Sequence, residues 1–312
     1  MLAVVSHDAG GAEILSSFVR QHPDDYQFAL AGPALGIFER KLGAVRSVGL
    51  GAAIEASDRV LCGSSWQSCL ECDAIALAKA LGRRSVVFLD HWVNYRERLT
   101  RNRQLYLPDE ICVGDGDAKR LAVAAFPGVS VILEPNPFFA DLKREFAARI
   151  QQEDRSAPER TVLYCTEPVR EHARLQHGDE RHFGYTEEEA LRFFLTNVRT
   201  VVPGVRLIVI RPHPAEATGR YEWVRRETDM DVVIGGTRSL VEEIADADVV
   251  AGGETMAMVV GLLGGKRVIS SIPPGGPTCA LPQRGIVHLR DLIRARHGTF
   301  SEEHGGRSGD VQ

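Results

Sequence analysis

The stretch ADADVVAGGETMAMVVGLLGGKRVIS, residues 245–270, carries the pattern from which the rest of the chain is read. An apolar run ends at Ala251, Gly252 and Gly253 turn the chain, and Glu254 and Thr255 open a helix. After Gly264 and Gly265 a second β-branched run begins at Arg267 and continues to Ser271. Two short apolar runs joined by a helix predict a βαβ unit, because parallel neighbours require a crossover and their sheet is covered on both faces.

The alternation extends outward from there. Upstream in the same half it predicts strands at Thr161–Cys165, Leu207–Ile210 and Val232–Ile234, and helices at Thr186–Val201 and Ser239–Ala245. The first half repeats it, with strands at Leu2–Ser6, Tyr26–Ala31, Arg59–Gly63, Ser85–Leu89, Glu110–Val113 and Val129–Leu133. Helices are expected there at Ala12–Arg20, Cys69–Leu81 and Ala118–Ala125. Between the halves, FADLKREFAARIQQEDRSAPER reads as a helix running into a polar, proline-ended linker. The expected organisation is two Rossmann-like α/β domains with parallel sheets facing a central cleft. They span residues 1–150 and 158–296, with a Gly-rich flexible tail at 297–312.

Composition narrows the function classes. With 44% hydrophobic and 25% charged residues and a net charge of -5, the chain has the balance of a soluble globular protein and shows no basic bias toward nucleic acid. No signal peptide or membrane-spanning run is read from it, and peripheral membrane contact stays open. Scattered cysteines in apolar segments predict a reducing, cytoplasmic setting. Cys69 and Cys72 form a CxxC without the second ligand pair that zinc would need. His172, His177 and His182 match no zinc spacing, so no metal is expected.

Open α/β sheets bind ligands at the carboxyl ends of their strands, so the loops there are the candidate site. SHDAGGAE follows the first strand: Gly10 and Gly11 permit close backbone approach, and His7 or Asp8 can take a proton from a hydroxyl. Asp8 reads equally as the helix cap. VVFLDHWVNYRERL places Asp90, His91, Arg96 and Arg98 just past a buried strand, beside a Trp and a Tyr that a solvated loop seldom carries. Asp90 is read as a base or as the group orienting His91, and Arg96 or Arg98 as meeting a charged substrate. Gly63, Ser64, Ser65 and Trp66 give a weaker signal.

In the second half, RPHP fixes Arg211 and His213 between prolines at a strand end, a pair suited to phosphate. Gly252, Gly253, Glu254, Thr255 and Met256 present a helix N-terminus to an anion and a carboxylate to sugar hydroxyls. CTEPVREHARLQHGDERHFGYT is expected to be a mobile loop.

The strand-end RPHP, the GGETM turn and the following GGKRVISSIPP run resemble the donor half of GT-B glycosyltransferases and of the related non-hydrolysing UDP-N-acetylglucosamine 2-epimerases. The resemblance implies a nucleotide sugar on the second domain near Arg211, His213, Glu254 and Thr255, an acceptor near Asp8 or Asp90, and no metal. It points to polysaccharide biosynthesis. The His-Pro pair is also similar to one in bacterial sialyltransferases, which leaves UDP, CDP and CMP donors open. The acidic-acidic-glycine motif of those sialyltransferases is absent, and no glutamate pair is identified as the one, eight apart, of many retaining GT-B enzymes. The implied activity is sugar transfer to an acceptor hydroxyl, against the alternatives of acceptor-independent epimerisation or hydrolysis and of a binding protein without turnover.

Overall fold

Strand β1 (Leu2–Ser6, LAVVS) is buried along its whole length, as a central strand covered on both faces must be. In this computed structural model, which describes residues 1–65, 68–150 and 161–303, the chain forms two compact units, Met1–Asp141 and Leu142–Gln312. Trp66, the linker expected at 151–157 and the end of the tail at 304–312 lie outside the described residues. The first unit ends inside the helix Pro137–Ile150, where the sequence pattern placed a break after it.

In the first unit β1 is followed by α1 (Ala9–Gln21), β2 (Tyr26–Leu30), α2 (Pro33–Leu42), α3 (Leu50–Glu55), β3 (Arg59–Cys62), α4 (Leu70–Ala80) and β4 (Arg84–Leu89). Then come α5 (Tyr95–Arg98), a small hairpin of β5 (Thr100–Arg101) and β6 (Gln104–Leu105), β7 (Glu110–Val113), α6 (Gly116–Ala125), β8 (Ser130–Leu133) and α7 (Pro137–Ile150). The sheet order is β2-β1-β3-β4-β7-β8, every neighbour parallel. Leu15, Phe38, Val4 and Phe88 belong to one core cluster, with α1 and α2 packed on the sheet. Burying each such side chain contributes about 1.5–3 kcal/mol.

The second unit runs β9 (Thr161–Cys165), α8 (Val169–His177), α9 (Glu187–Val201), β10 (Leu207–Arg211), β11 (Asp231–Ile234), α10 (Leu240–Ala245), β12 (Val249–Gly252), α11 (Met256–Leu263), β13 (Arg267–Ser270), β14 (Ile286–His288) and α12 (Leu289–Glu303). Its order is β11-β10-β9-β12-β13-β14, again wholly parallel. Helix α9 starts at a reciprocal capping box between Thr186 and Glu189 and buries Leu191, Phe194, Val198 and Val201 at helical spacing. Ser239 and Glu242 cap α10 in the same way. No helix among the described residues is long and apolar enough to cross a membrane.

The two sheets share a winding. Beside β2, Ser47 makes a single parallel bridge with Phe28, and its hydroxyl accepts from the Leu30 N–H at 2.9 Å. If that bridge is counted as a vestigial strand, the first sheet reads 3-2-1-4-5-6-7 and the second 3-2-1-4-5-6, so both contain the doubly wound order.

Two expectations need correction. The segment 166–186 is not one long loop: residues Val169–His177 form α8, with Ala173 buried and Gly178 closing the helix in the left-handed conformation. The tail expected from residue 297 is helical as far as Glu303. The periodic reading also passed over α2, α3, the β5–β6 hairpin and β14, which are too short or too evenly mixed to show a period.

Candidate functional site

Because every strand in each main sheet is parallel, each unit gathers its strand carboxyl ends on one edge. In the first unit that edge starts at His7. The His7 N–H donates to Glu71 Oε1 at 2.7 Å, and His7 Nδ1 lies 2.7 Å from Asp8 Oδ1. An ionised carboxylate only accepts, so this contact puts the ring proton on Nδ1 and leaves Nε2 with its lone pair. The ring stands against Gly32, which has φ of 53°; a Cβ there would lie 2.6 Å from Nε2. Asp8, expected as a helix cap, makes no side-chain cap bond to α1.

Glu71, in the first turn of α4, is buried, and its Oε2 has no hydrogen-bond partner among the described residues. Burial pushes its carboxyl up to about 7, only partly opposed by the His7 N–H. Nothing in the local sequence marks this residue, since a Glu near a helix start is ordinary. Its role follows from α4 packing against β1.

Asp90 and His91 are less available than the sequence implies. Asp90 Oδ1 accepts from Ser64 Oγ at 2.7 Å and from Arg98 Nη1 at 3.0 Å, and the Asp90 and Arg98 side chains are both 9% exposed. Glycine at position 10 is a steric requirement, because a Cβ would collide with the Asp90 carboxylate. Burial and the Arg98 charge pull His91 down to about 4, against the attraction of Asp90. Its Nδ1 accepts from the Trp92 N–H at 3.0 Å, so the ring is a neutral Nε2–H tautomer. Arg96 reaches the Ala125 carbonyl at 2.8 Å at the end of α6, while the buried guanidinium is that of Arg98. Gly11 allows the backbone of α1 to approach Gly63, where a Cβ would meet Gly63 Cα at 3.1 Å.

On the second unit's edge, the Arg211 guanidinium is already engaged. Nη1 donates to Glu243 Oε2 at 2.6 Å and to the Arg238 carbonyl at 3.0 Å, and Glu243 also accepts from the Gly236 N–H at 2.6 Å. The RPHP turn is held from below by Glu216, whose side chain is fully buried. Glu216 accepts from Thr166 Oγ1, from the His213 N–H at 2.9 Å and from Tyr221 Oη at 2.5 Å. His213 Nδ1 accepts from the Ala215 N–H at 3.2 Å, so Nε2 carries the proton, and burial lowers the pKa of the ring. His213 is therefore a neutral hydrogen-bond donor.

At the GGETM turn, Thr255 caps α11 through a bond from the Ala257 N–H at 3.3 Å, and Met256 is the first helical residue. Gly252 sits against the Cys165 carbonyl, which a Cβ would meet at 2.8 Å. The Gly252 and Gly253 carbonyls accept from Ser271 and Ser270, respectively. Glu254 Oε2 accepts from the Ala280 N–H at 3.0 Å, and burial raises the pKa of its carboxyl. The Glu254 N–H in turn donates to Glu167 Oε2 at 2.9 Å. Burial lifts Glu167 to about 7, with the Glu254 N–H opposing the shift and the Glu254 and Glu216 charges adding to it. Among the described residues, no three His, Cys, Asp or Glu side chains gather so as to hold a metal.

No known family profile matches the sequence, and no curated protein matches it. Solved structures do. The UDP-GlcNAc 2-epimerase from Methanocaldococcus jannaschii, in complex with UDP-GlcNAc and UDP, is similar at TM-score 0.59 and 10% identity, over 100% of this chain and 94% of that one. The UDP-GlcNAc 2-epimerase from Neisseria meningitidis, bound to UDP-GlcNAc, is similar at TM-score 0.57 and 11% identity, over 97% and 92%. MurG from Acinetobacter baumannii is similar at TM-score 0.52 and 10% identity, over 97% and 91%. The chain thus has the GT-B-type fold, two parallel six-stranded α/β units, shared by epimerases and glycosyltransferases alike.

Proposed function

We propose that the protein is a glycosyltransferase that moves a sugar from a nucleotide-activated donor to an acceptor hydroxyl, with His7 as the base. The observation that carries this reading is the His7–Asp8 pair at the end of β1. Asp8 holds the tautomer in which Nε2 can accept a proton, and it stabilises the imidazolium that forms. As the hydroxyl loses its proton to Nε2, its oxygen bonds the anomeric carbon, and the bond from that carbon to the phosphate oxygen breaks. A base acting directly on the acceptor implies inversion at that carbon.

The second unit is assigned the donor. The departing phosphate is met by the N-terminal N–H groups of α11 and by His213 Nε2–H, so the step as drawn uses no metal. Binding of UDP-GlcNAc by the two epimerases of the same fold supports a nucleotide-sugar ligand and leaves UDP, CDP and CMP donors to be separated by experiment.

One feature favours a second reading, epimerisation or hydrolysis of the nucleotide sugar alone. Glu71 and Glu167 both titrate at about 7, where a carboxyl both takes and returns protons at neutral pH.

The deciding experiment has two stages. Thermal shift against UDP, CDP, CMP, GDP and TDP and their sugars identifies the donor, since a ligand of the native state raises Tm. Nucleotide release is then followed with and without candidate acceptors. Acceptor-dependent release that is lost in His7→Asn supports transfer. Turnover without acceptor selects the second reading, and binding without turnover denies enzymatic activity.

A further inference from the structure

The pair Cys69 and Cys72 has no part in the reaction above, and no metal-holding cluster forms around it among the described residues. The fold gives the pair a different setting. Cys69 stands at the N-cap of α4 with helical angles, φ -94° and ψ -1°, and its carbonyl accepts from the Asp73 N–H at 2.9 Å. Cys69 to Cys72 is therefore one helical turn, which places their Cα atoms about 5 Å apart. That lies inside the range of about 4.4–6.8 Å that a disulfide spans. Cys69 is exposed and its side chain makes no capping bond, whereas Cys72 is buried. An accessible thiol at a helix N-terminus, with a second thiol one turn behind it, suits thiol–disulfide exchange.

The same turn makes two contacts with the first unit's strand-end edge. Glu71, between the cysteines, holds the His7 N–H through Oε1 at 2.7 Å. The Cys72 S–H donates to the Arg98 carbonyl at 3.8 Å, and the Arg98 guanidinium pairs with Asp90. Burial pushes the Cys72 thiol up to about 11, which keeps it protonated as that donor until exchange begins. Joining the two sulfurs removes the S–H. It also draws the Cβ atoms from the roughly 5–6 Å of helical neighbours to about 3.5–4.5 Å. A contraction of about 1 Å in that turn is large beside the tolerance of a hydrogen bond, so it loads the contact between Glu71 and the His7 N–H.

We propose that Cys69 and Cys72 form a dithiol site that a low-molecular-mass disulfide oxidises, and that the resulting bond loosens the hold of Glu71 on the His7 backbone. The Cys69 sulfur, as thiolate, attacks one sulfur of the incoming disulfide, whose S–S bond breaks and releases a first thiolate, which takes up the proton lost by Cys69. The Cys72 sulfur then attacks Cys69 in this mixed disulfide. Its proton passes to the second departing thiolate as the bond between Cys69 and Cys72 forms. The protein loses two electrons and two protons, and one disulfide becomes two thiols. The site itself does not depend on the reaction assigned above; its effect on catalysis rests on His7 as the base, because oxidation moves the backbone that carries the imidazole.

The test holds the full chain in buffers of graded ratio of glutathione to glutathione disulfide. After the remaining thiols are alkylated, peptide mass mapping locates the bond. The parent is expected to join Cys69 to Cys72, Cys69→Ser to stay reduced, and Cys72→Ala to stop with glutathione on Cys69. Position 69 is exposed, so if Cys72→Ala fails to fold the parent and Cys69→Ser still decide. Deuterium exchange at the His7 amide, read on the same samples, should be about tenfold faster in the oxidised parent than in the reduced one and unchanged in Cys69→Ser. A parent that stays reduced in glutathione disulfide alone, or that pairs Cys72 with another cysteine, would overturn the site. A bond between Cys69 and Cys72 with His7 exchange unchanged would overturn the coupling. With a donor and acceptor that turn over, the oxidised parent should be about tenfold slower and recover in dithiothreitol. If His7 exchange rises and turnover does not fall, the dithiol site stands and His7 as the base is refuted.

Discussion

The two strand-end edges are alike in winding and unlike in how they use charge. On the first unit's edge, Asp90 and Arg98 form a buried ion pair, and His7, half-buried, is oriented by its neighbour Asp8. On the second, Arg211 is neutralised by Glu243, and the poised groups are neutral donors and carboxyls: His213, Glu254 and Glu167. The same topology thus carries different side-chain chemistry on its two edges. In both, the most conspicuous ions in the sequence are committed to holding loops. An arginine at a strand end is evidence for an anion site only after its own chain's carboxylates have been counted.

The contrast can be broken most sharply at His7. His7→Asn is expected to lower acceptor-dependent turnover by about 10²–10⁴-fold with donor affinity retained, measured as initial rates at saturating donor. Equal rates would move the base elsewhere on that edge. Arg98→Ala comes next. Leaving the Asp90 carboxylate buried without its partner should cost about 3–5 kcal/mol in urea unfolding, whereas Arg98 acting as a substrate clamp would change affinity and leave stability nearly intact.

Glu71 sets the pH behaviour. Its folded pKa lies above its ordinary value of 4.5, at about 7, so the protonated form is the one the fold favours. Its contribution to stability is full below the unfolded pKa and is lost as pH rises through about 7. Between pH 5 and 8 the parent should lose up to about 3 kcal/mol that Glu71→Gln does not lose, as read by urea midpoints at each pH.

A smaller effect is expected at Arg211. Arg211→Ala should lower stability by about 1–3 kcal/mol by exposing Glu243 to an unmatched site, with nucleotide affinity changed less than in His213→Ala. A collapse of affinity with unchanged Tm would restore Arg211 as the phosphate ligand. Arg96→Ala, which removes one exposed bond to the Ala125 carbonyl, should shift stability by no more than about 0.5 kcal/mol and leave binding unchanged.

Much of the fold was legible because it is written locally. The strands β1, β7 and β9 stand where their branched runs begin and end, and α9 begins after the residue whose hydroxyl caps it. Position 253 reads as a turn glycine from sequence, and the structure adds that Glu167 Oε2 lies 2.8 Å from where a Cβ would stand. Glu71 and Glu167 were not legible, since each is an ordinary residue for its place and becomes notable only by what another element brings within reach. Arg96 and Arg98 show the same limit: two residues apart, they point to different neighbours, one to the end of α6 and one to Asp90.

The sequence by itself determined the layer architecture, the parallel sheets and the edges on which chemistry must sit. These follow from hydrophobic period, turn residues and the rule that parallel strands end on one side. Only the tertiary structure decided which charged groups on those edges are spent and which are poised. That depends on pairings across long separations, such as Ser64 with Asp90 and Arg211 with Glu243, and on desolvation, which raises the Glu71 and Glu167 carboxyls to about 7. Burial and pairing are properties of the packed chain, and no local pattern of residues encodes them.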